Sequence, residues 1–384
     1  MSKRHGRTLA RHLRREWALA PPVVTTILFL LFGKRWLADL SSGLWFGVVS
    51  LWLVGTISVS ALAVVRHAEG VAERVREPLG TVVLTLAMSG MEMLMIAAVM
   101  YSGKGAPALA RDTMMAIVMI VLNGLVGACL LVGGLRYREQ TTNLYGPNAF
   151  LGVLLPLSVL GLVLPRFTRS SAGPTLSPLQ ALFLSSMSVG LYAVFLAIQT
   201  RRHREYFVEP EAGAASAKAA RDAHARAEAH EGSAALSAGG HGLLLVAYAV
   251  PVVLLAKQIA RPIDHAINEL GAPAALGGLL VAALILSPES VAAVRAARAN
   301  QLQRSTNLAL GTALSSISLT IPAVLTIGLV TGTPIILGLE PPEIVLLLLT
   351  MGVSILTFAF ERTNVLQGAI HLLLFLAYLM LIFD

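Results

Sequence analysis

Long apolar runs alternate with short polar clusters along the whole chain. A helix needs about 20 mostly apolar residues to cross the hydrocarbon core of a bilayer. On that measure the runs predict eleven spanning helices, at 18–33, 44–65, 79–100, 113–135, 148–165, 178–199, 242–260, 274–294, 306–331, 342–360 and 364–383. The first is short and carries Pro21 and Pro22. A basic stretch (Lys3, Arg4, Arg7, Arg11, Arg14, Arg15) precedes it. No convincing small-residue cleavage site follows, so a retained helix is expected rather than a removed signal peptide.

One connection is much longer than the others. Residues 200–241 are polar and alanine-rich, and Lys218–Asp222, Asp222–Arg226 and His224–Glu228 are spaced i,i+4. That spacing predicts a short helix there. The loop divides the chain into a basic N-terminus with one extra helix (1–43), a five-helix segment (44–199), a cytoplasmic linker (200–241) and a second five-helix segment (242–384). Five is odd, so the second segment enters the membrane from the opposite side. The expected fold is therefore an all-α polytopic membrane protein with an inverted five-plus-five repeat.

Composition and charge narrow the class. Hydrophobic residues make up 56% of the 384 and charged residues 13%, about half the charged share of a soluble domain. The net charge of +8 does not point to nucleic acid, because most basic residues flank the apolar runs. Of the 29 Lys and Arg, only Lys34, Arg35, Lys104, Arg111, Arg166, Arg169, Lys257 and Arg261 fall in alternate loops. The others share the N-terminal side, so that side is expected to be cytoplasmic. Cys129 is the sole cysteine, and no CxxC or HExxH spacing occurs. No nucleophile–base or metal constellation supports a membrane-embedded enzyme, and no cofactor is expected. The lipid bilayer and inorganic ions are the expected partners, with homo-oligomers left open.

Two acids stand out inside the runs. Glu92 follows Gly80 by twelve residues in the second helix of the first segment, and Glu289 follows Gly277 by twelve in the second helix of the second. Pro78 and Pro273 precede the two stretches. Because the segments run in opposite directions, both acids are expected near the midplane. An ionised carboxylate there costs roughly 2.5–3.5 kcal/mol on insertion scales. The cost falls if it faces a wet cavity, binds a cation or takes a proton. Two such groups can hold either a cation or protons, each weakening the other, which is the basis of cation/proton exchange. The plain alternative is a carboxyl hydrogen-bonded to a neighbouring helix.

Further polar residues could be accessory ligands or line a pathway: Ser89, Asn123, Ser287, Pro288, Gln303, Asn307, Thr312, Ser315 and Ser316. Pro288 frees a backbone carbonyl one turn earlier, and a broken helix there would offer hard oxygen ligands to Ca²⁺ or Na⁺. Small and hydroxyl residues also serve close helix packing. Arg111 and Asp112 read as an interfacial anchor and a helix cap, and Glu361 and Arg362 as interfacial. His371 reads as a packed, hydrogen-bonded residue, and His203, His224, His230 and His241 as parts of a solvated linker.

Several segments resemble the cation/proton antiporters of the calcium/cation exchanger superfamily, most closely the bacterial ChaA-type calcium (sodium, potassium)/proton antiporters. They are Val65–Ala68, Arg76–Gly80, Arg111–Thr113, Ile285–Glu289, Asn300–Arg304, Asn307–Leu308 and the run from Arg362, RTNVLQGAIHLLLFLAYLMLIF. The resemblance implies an integral protein of the bacterial inner membrane that exports Ca²⁺, Na⁺ or K⁺ in exchange for H⁺. It implies an essential acid from each repeat at a central cation site, mapping to Glu92 and Glu289, and gating helices that slide past a more static bundle. A passive cation channel is the alternative within transport. Many relatives carry Gly-Asn-Ala-Thr-Glu or Gly-Asn-Ala-Ala-Glu around these acids. Here Met88-Ser89-Gly90-Met91-Glu92 and Leu286-Ser287-Pro288-Glu289 have no asparagine.

Overall fold

The computed structural model describes residues 17–75, 79–102, 107–171, 173–208 and 237–383. The basic N-terminal stretch, Pro78, Lys104, the helix expected within 218–231, His224 and His230 lie outside them. The described residues form eleven helical segments: α1 (Ala20–Trp36), α2 (Gly43–Val75), α3 (Leu79–Ser102), α4 (Leu109–Tyr137), α5 (Tyr145–Arg166), α6 (Pro178–Arg202), α7 (Ala238–Asn268), α8 (Ala275–Arg298), α9 (Leu302–Thr331), α10 (Pro341–Thr357) and α11 (Val365–Ile382). Each coincides with one predicted run. Nine of these described segments are long and apolar enough to cross a membrane. α10 is a shorter apolar helix, and α1 has 17 residues.

Local sequence explains the ends. Pro21 and Pro22 fall in the first turn of α1, where a missing amide costs nothing. Ser177 with Gln180, Glu340 with Glu343, and Asn364 with Gln367 close reciprocal capping boxes on α6, α10 and α11, satisfying amides that the first turn leaves unpaired. α2 and α7 extend well beyond their apolar runs. The only strands among the described residues are two-residue pieces, β1 (Gln140–Thr141) and β2 (Arg362–Thr363), paired antiparallel. They are too short to leave a sequence period.

Two compact units emerge, and they do not follow the two sequence segments. One contains α1, α2, α3 up to Leu84 and α7 up to Pro262; the other contains α3 from Thr85, α4 to α6, the end of α7 from Ile263, and α8 to α11. Within the first unit, Trp52 Nε1 donates to Thr25 Oγ1 at 3.1 Å and Trp45 Nε1 to the Trp36 carbonyl at 2.9 Å. Phe29 meets both Trp36 and Trp52 edge-on. His67 on α2 and His241 on α7 place their Nδ1 atoms 3.1 Å apart, and a Cβ at Gly80 would strike the Ala72 carbonyl.

Within the second unit, α8 lies along α4, α11 lies along α4, and α9 packs on α5, α6 and α8. Glycine permits these approaches. A Cβ at Gly278 would sit 2.6 Å from the Asp112 carbonyl carbon, and one at Gly368 2.6 Å from the Leu131 amide nitrogen. Arg111 anchors the start of α4: it pairs with Asp112 at 2.8 Å and donates to the Gly338 carbonyl at 3.2 Å. Glu340 also pairs with Arg166 at 3.1 Å. Asp112 is thus an ion-pair partner and not the helix cap expected of it; the N-cap position is Ala108. Arg362 pairs with Glu139 at 3.3 Å, both exposed.

Candidate functional site

Glu92 lies past the middle of α3 and is 3% exposed. Both carboxyl oxygens accept hydrogen bonds from one face of α9: Oε2 from Ser316 Oγ at 2.6 Å and Oε1 from Thr320 Oγ1 at 3.1 Å. Ser316 and Thr320 are four residues apart, so a single helix face presents both hydroxyls. Many membrane hydroxyls among the described residues donate to their own helix, as Thr306 does to Leu302 and Thr312 to Leu308. Those of Ser316 and Thr320 are instead committed to the acid. Ser89, nearly one turn before Glu92, is buried, and its Oγ has no hydrogen-bond partner within the described protein. One buried carboxyl is therefore met by two hydroxyls of a neighbouring helix.

Glu289 is half-buried in α8, within the same unit. The helix runs on through Pro288 instead of breaking there. The reason is local. Proline leaves the Leu284 carbonyl without its amide partner, and Ser287 Oγ donates to that carbonyl at 2.9 Å. The oxygen expected to turn outward is satisfied within the helix.

The other sequence candidates divide into four groups. Ser316 joins Glu92. Thr312 and Ser315 bond backbone carbonyls of their own helix, Ser315 to Thr312 at 3.1 Å. Gln303 and Asn307 secure a loop: Gln303 Oε1 accepts from the Asn143 amide at 2.7 Å, and Asn307 Nδ2 donates to the Phe207 carbonyl at 2.7 Å. Asn123 belongs to a separate buried cluster with Thr350 and His371. The sequence reading missed Thr320, whose signal was its position one turn beyond Ser316. It also missed Thr350 and Thr357, which look like ordinary members of apolar helices. His203 pairs with Glu205 and stacks on Tyr206, while His241 pairs with His67. Among the described residues, no three His, Cys, Asp or Glu side chains gather as a metal-holding group.

A chain of eleven described helical segments in this order, with two inverted five-helix repeats behind an extra first helix and a carboxyl buried at mid-helix, defines a polytopic membrane transporter. The chain belongs to the sodium/calcium exchanger protein family, whose model matches residues 23–201 and 241–383. It is 37% identical over its full length, and that of the relative, to the sodium-potassium/proton antiporter ChaA of Escherichia coli. It is 41% identical to the protein y4hA of Sinorhizobium fredii over 335 residues, covering 87% of this chain and 88% of that one. Among solved structures, native YfkE aligns with a TM-score of 0.71 at 17% identity, covering 95% of this chain and 99% of the other. The H⁺/Ca²⁺ exchanger CAX aligns at 0.60 and 12%, covering 93% and 88%. These two share the fold. The protein is an integral-membrane cation antiporter, not an enzyme, and its family works without a cofactor.

Proposed function

We propose that this chain is a secondary antiporter of the inner membrane, with its N-terminus cytoplasmic, that exports Ca²⁺, Na⁺ or K⁺ in exchange for H⁺. Glu92 and Glu289 bind cation or protons competitively, and the site is exposed to the two sides in turn. The observation that carries the reading is the Glu92 carboxyl, buried in mid-helix yet met by two hydroxyls and neighboured by a third. Such oxygens suit hard cations, and a carboxyl able to be neutralised by either a proton or a cation escapes the cost of a bare charge in hydrocarbon. The 37% identity over the full length to a sodium-potassium/proton antiporter supports monovalent export.

The test is purified protein in vesicles carrying a proton gradient, challenged in parallel with Ca²⁺, Na⁺ and K⁺ across a range of pH. At least one cation should collapse the gradient. Its half-saturating concentration should rise as pH falls, by up to about tenfold per unit where a single proton competes. Cation flux without proton movement would identify a channel and end the antiporter reading.

Ser316→Ala combined with Thr320→Val tests the hydroxyl pair. Hydrogen bonds to a charged group contribute about 1.5–3 kcal/mol each. The double variant should therefore raise the half-saturating cation concentration about a hundredfold or more. Unchanged half-saturation would remove these hydroxyls from the site.

A further inference from the structure

A second polar cluster, wholly buried, is made by three helices of one unit. Thr357 Oγ1 and His371 Nε2 are 2.9 Å apart, and His371 Nδ1 and Asn123 Oδ1 3.2 Å. Asn123 Nδ2 donates to Thr350 Oγ1 at 2.8 Å and reaches Met119 Sδ at 3.4 Å. Asn123, Thr350 and His371 are fully buried and Thr357 is 3% exposed.

The orientation of the Asn123 carboxamide sets the donor and acceptor roles along this chain. The Asn123 amino group is used by Thr350 and Met119, so its carbonyl oxygen faces His371. A carbonyl only accepts, so His371 carries its proton on Nδ1. Nε2 then bears a lone pair and takes the Thr357 hydroxyl proton. The imidazole is neutral, with both nitrogens paired, and it holds one carboxamide in one orientation.

Asn123 lies in a π-helical turn, Met119–Leu125, in the middle of α4. This turn packs against α8 and α9 on one hand and α10 and α11 on the other. α8 bears Glu289, and α9 bears the hydroxyls that hold Glu92. A π turn carries an extra residue, is rare, and recurs at functional sites. If it relaxed to α geometry, the residues beyond it would rotate by about 100°. The repeat spacing adds to this. The offset relating Gly80 to Gly277 and Glu92 to Glu289 also relates Met119 to Ser316 and Asn123 to Thr320. Of the two α4 positions that match the Glu92-holding pair, Asn123 meets His371 and Met119 meets Asn123.

We propose that His371 is a positioning residue for exchange: through Asn123 it holds the π turn of α4 in register against α8 and α9, and so sets the cation affinity of the carboxyl site. This rests on the antiporter reading above.

The test is vesicle exchange with three variants, each read as half-saturating cation concentration, maximal rate and membrane level. His371→Leu removes the hydrogen bonds to Thr357 and Asn123 and should raise half-saturation about tenfold, with maximal rate and protein level within about twofold. His371→Asn keeps an amide donor near the Nδ1 position and should stay within about threefold of the parent. Thr357→Val removes the hydroxyl that keeps Nε2 an acceptor, so the proton is no longer held on Nδ1, and it should lie between them; it also serves if His371→Leu does not accumulate. Half-saturation unchanged in both His371→Leu and Thr357→Val would overturn the proposal. So would His371→Asn failing as badly as His371→Leu, or loss confined to protein level. If the parent protein itself moves no protons with cations, the antiporter reading falls first and separately.

Discussion

Glu92→Gln should abolish cation-dependent collapse of a proton gradient, and Glu289→Gln should do the same. The substitution is close to isosteric. At Glu92, Ser316 and Thr320 can rotate their hydroxyls to meet an amide as they now meet a carboxylate, so the helices should stay packed. What disappears is the ability to carry either a charge or an exchangeable proton. Taking one partner from a buried ion pair costs about 3–5 kcal/mol. At 1.4 kcal/mol per decade, exchange should fall at least about a hundredfold. A carboxyl serving only as a hydrogen-bond bridge between α3 and α9 would tolerate the amide. Exchange at near-parental rates in both variants would therefore leave these acids structural and the mechanism wrong. Inactivity of one variant alone would confine the cation site to that acid.

Gly278→Leu should produce the largest loss of stability. A Cβ at this position would lie 2.6 Å from the Asp112 carbonyl carbon and 2.7 Å from the Thr113 amide nitrogen. Those atoms are helix backbone, which cannot swing aside as a flexible side chain would. α8 and α4 must then separate along their contact. Overpacking of this kind typically costs 1–3 kcal/mol and occasionally more, so the expected cost is about 3 kcal/mol. Thermal unfolding in detergent would register it. Gly277→Ala is the control. Its Cβ would meet Ile263 Cγ2 at 3.0 Å, a side-chain end that can move, and a much smaller shift is expected. Equal destabilisation by the two would refute the close-approach argument.

Gly277 was the glycine that the sequence comparison selected, because it repeats Gly80. The tighter contact belongs to its neighbour Gly278. Spacing along the chain identifies corresponding positions, but only the facing helix determines which of two adjacent glycines has backbone against it. Pro288 carries the same lesson. Its missing amide is evident in sequence, and a helix break follows naturally. The bond from Ser287 Oγ to the Leu284 carbonyl keeps α8 continuous, and that depends on one rotamer.

The sequence by itself determined the membrane class, the eleven helical segments, their inverted order and the two candidate acids. Each of these follows from local rules: bilayer thickness fixes run length, helix count fixes direction, and a charge in an apolar run is expensive wherever it lies. Only the tertiary structure decided which partners those residues have. Ser316 and Thr320 reach Glu92 across more than two hundred residues of chain, whereas Gln303 and Asn307, equally polar and on the same helix, hold a loop. Asn123 and His371 gain meaning only as a pair. Hydroxyls and amides in membrane helices look alike in sequence because each can always bond its own backbone. The physical choice between that bond and a distant acid is made by helix packing.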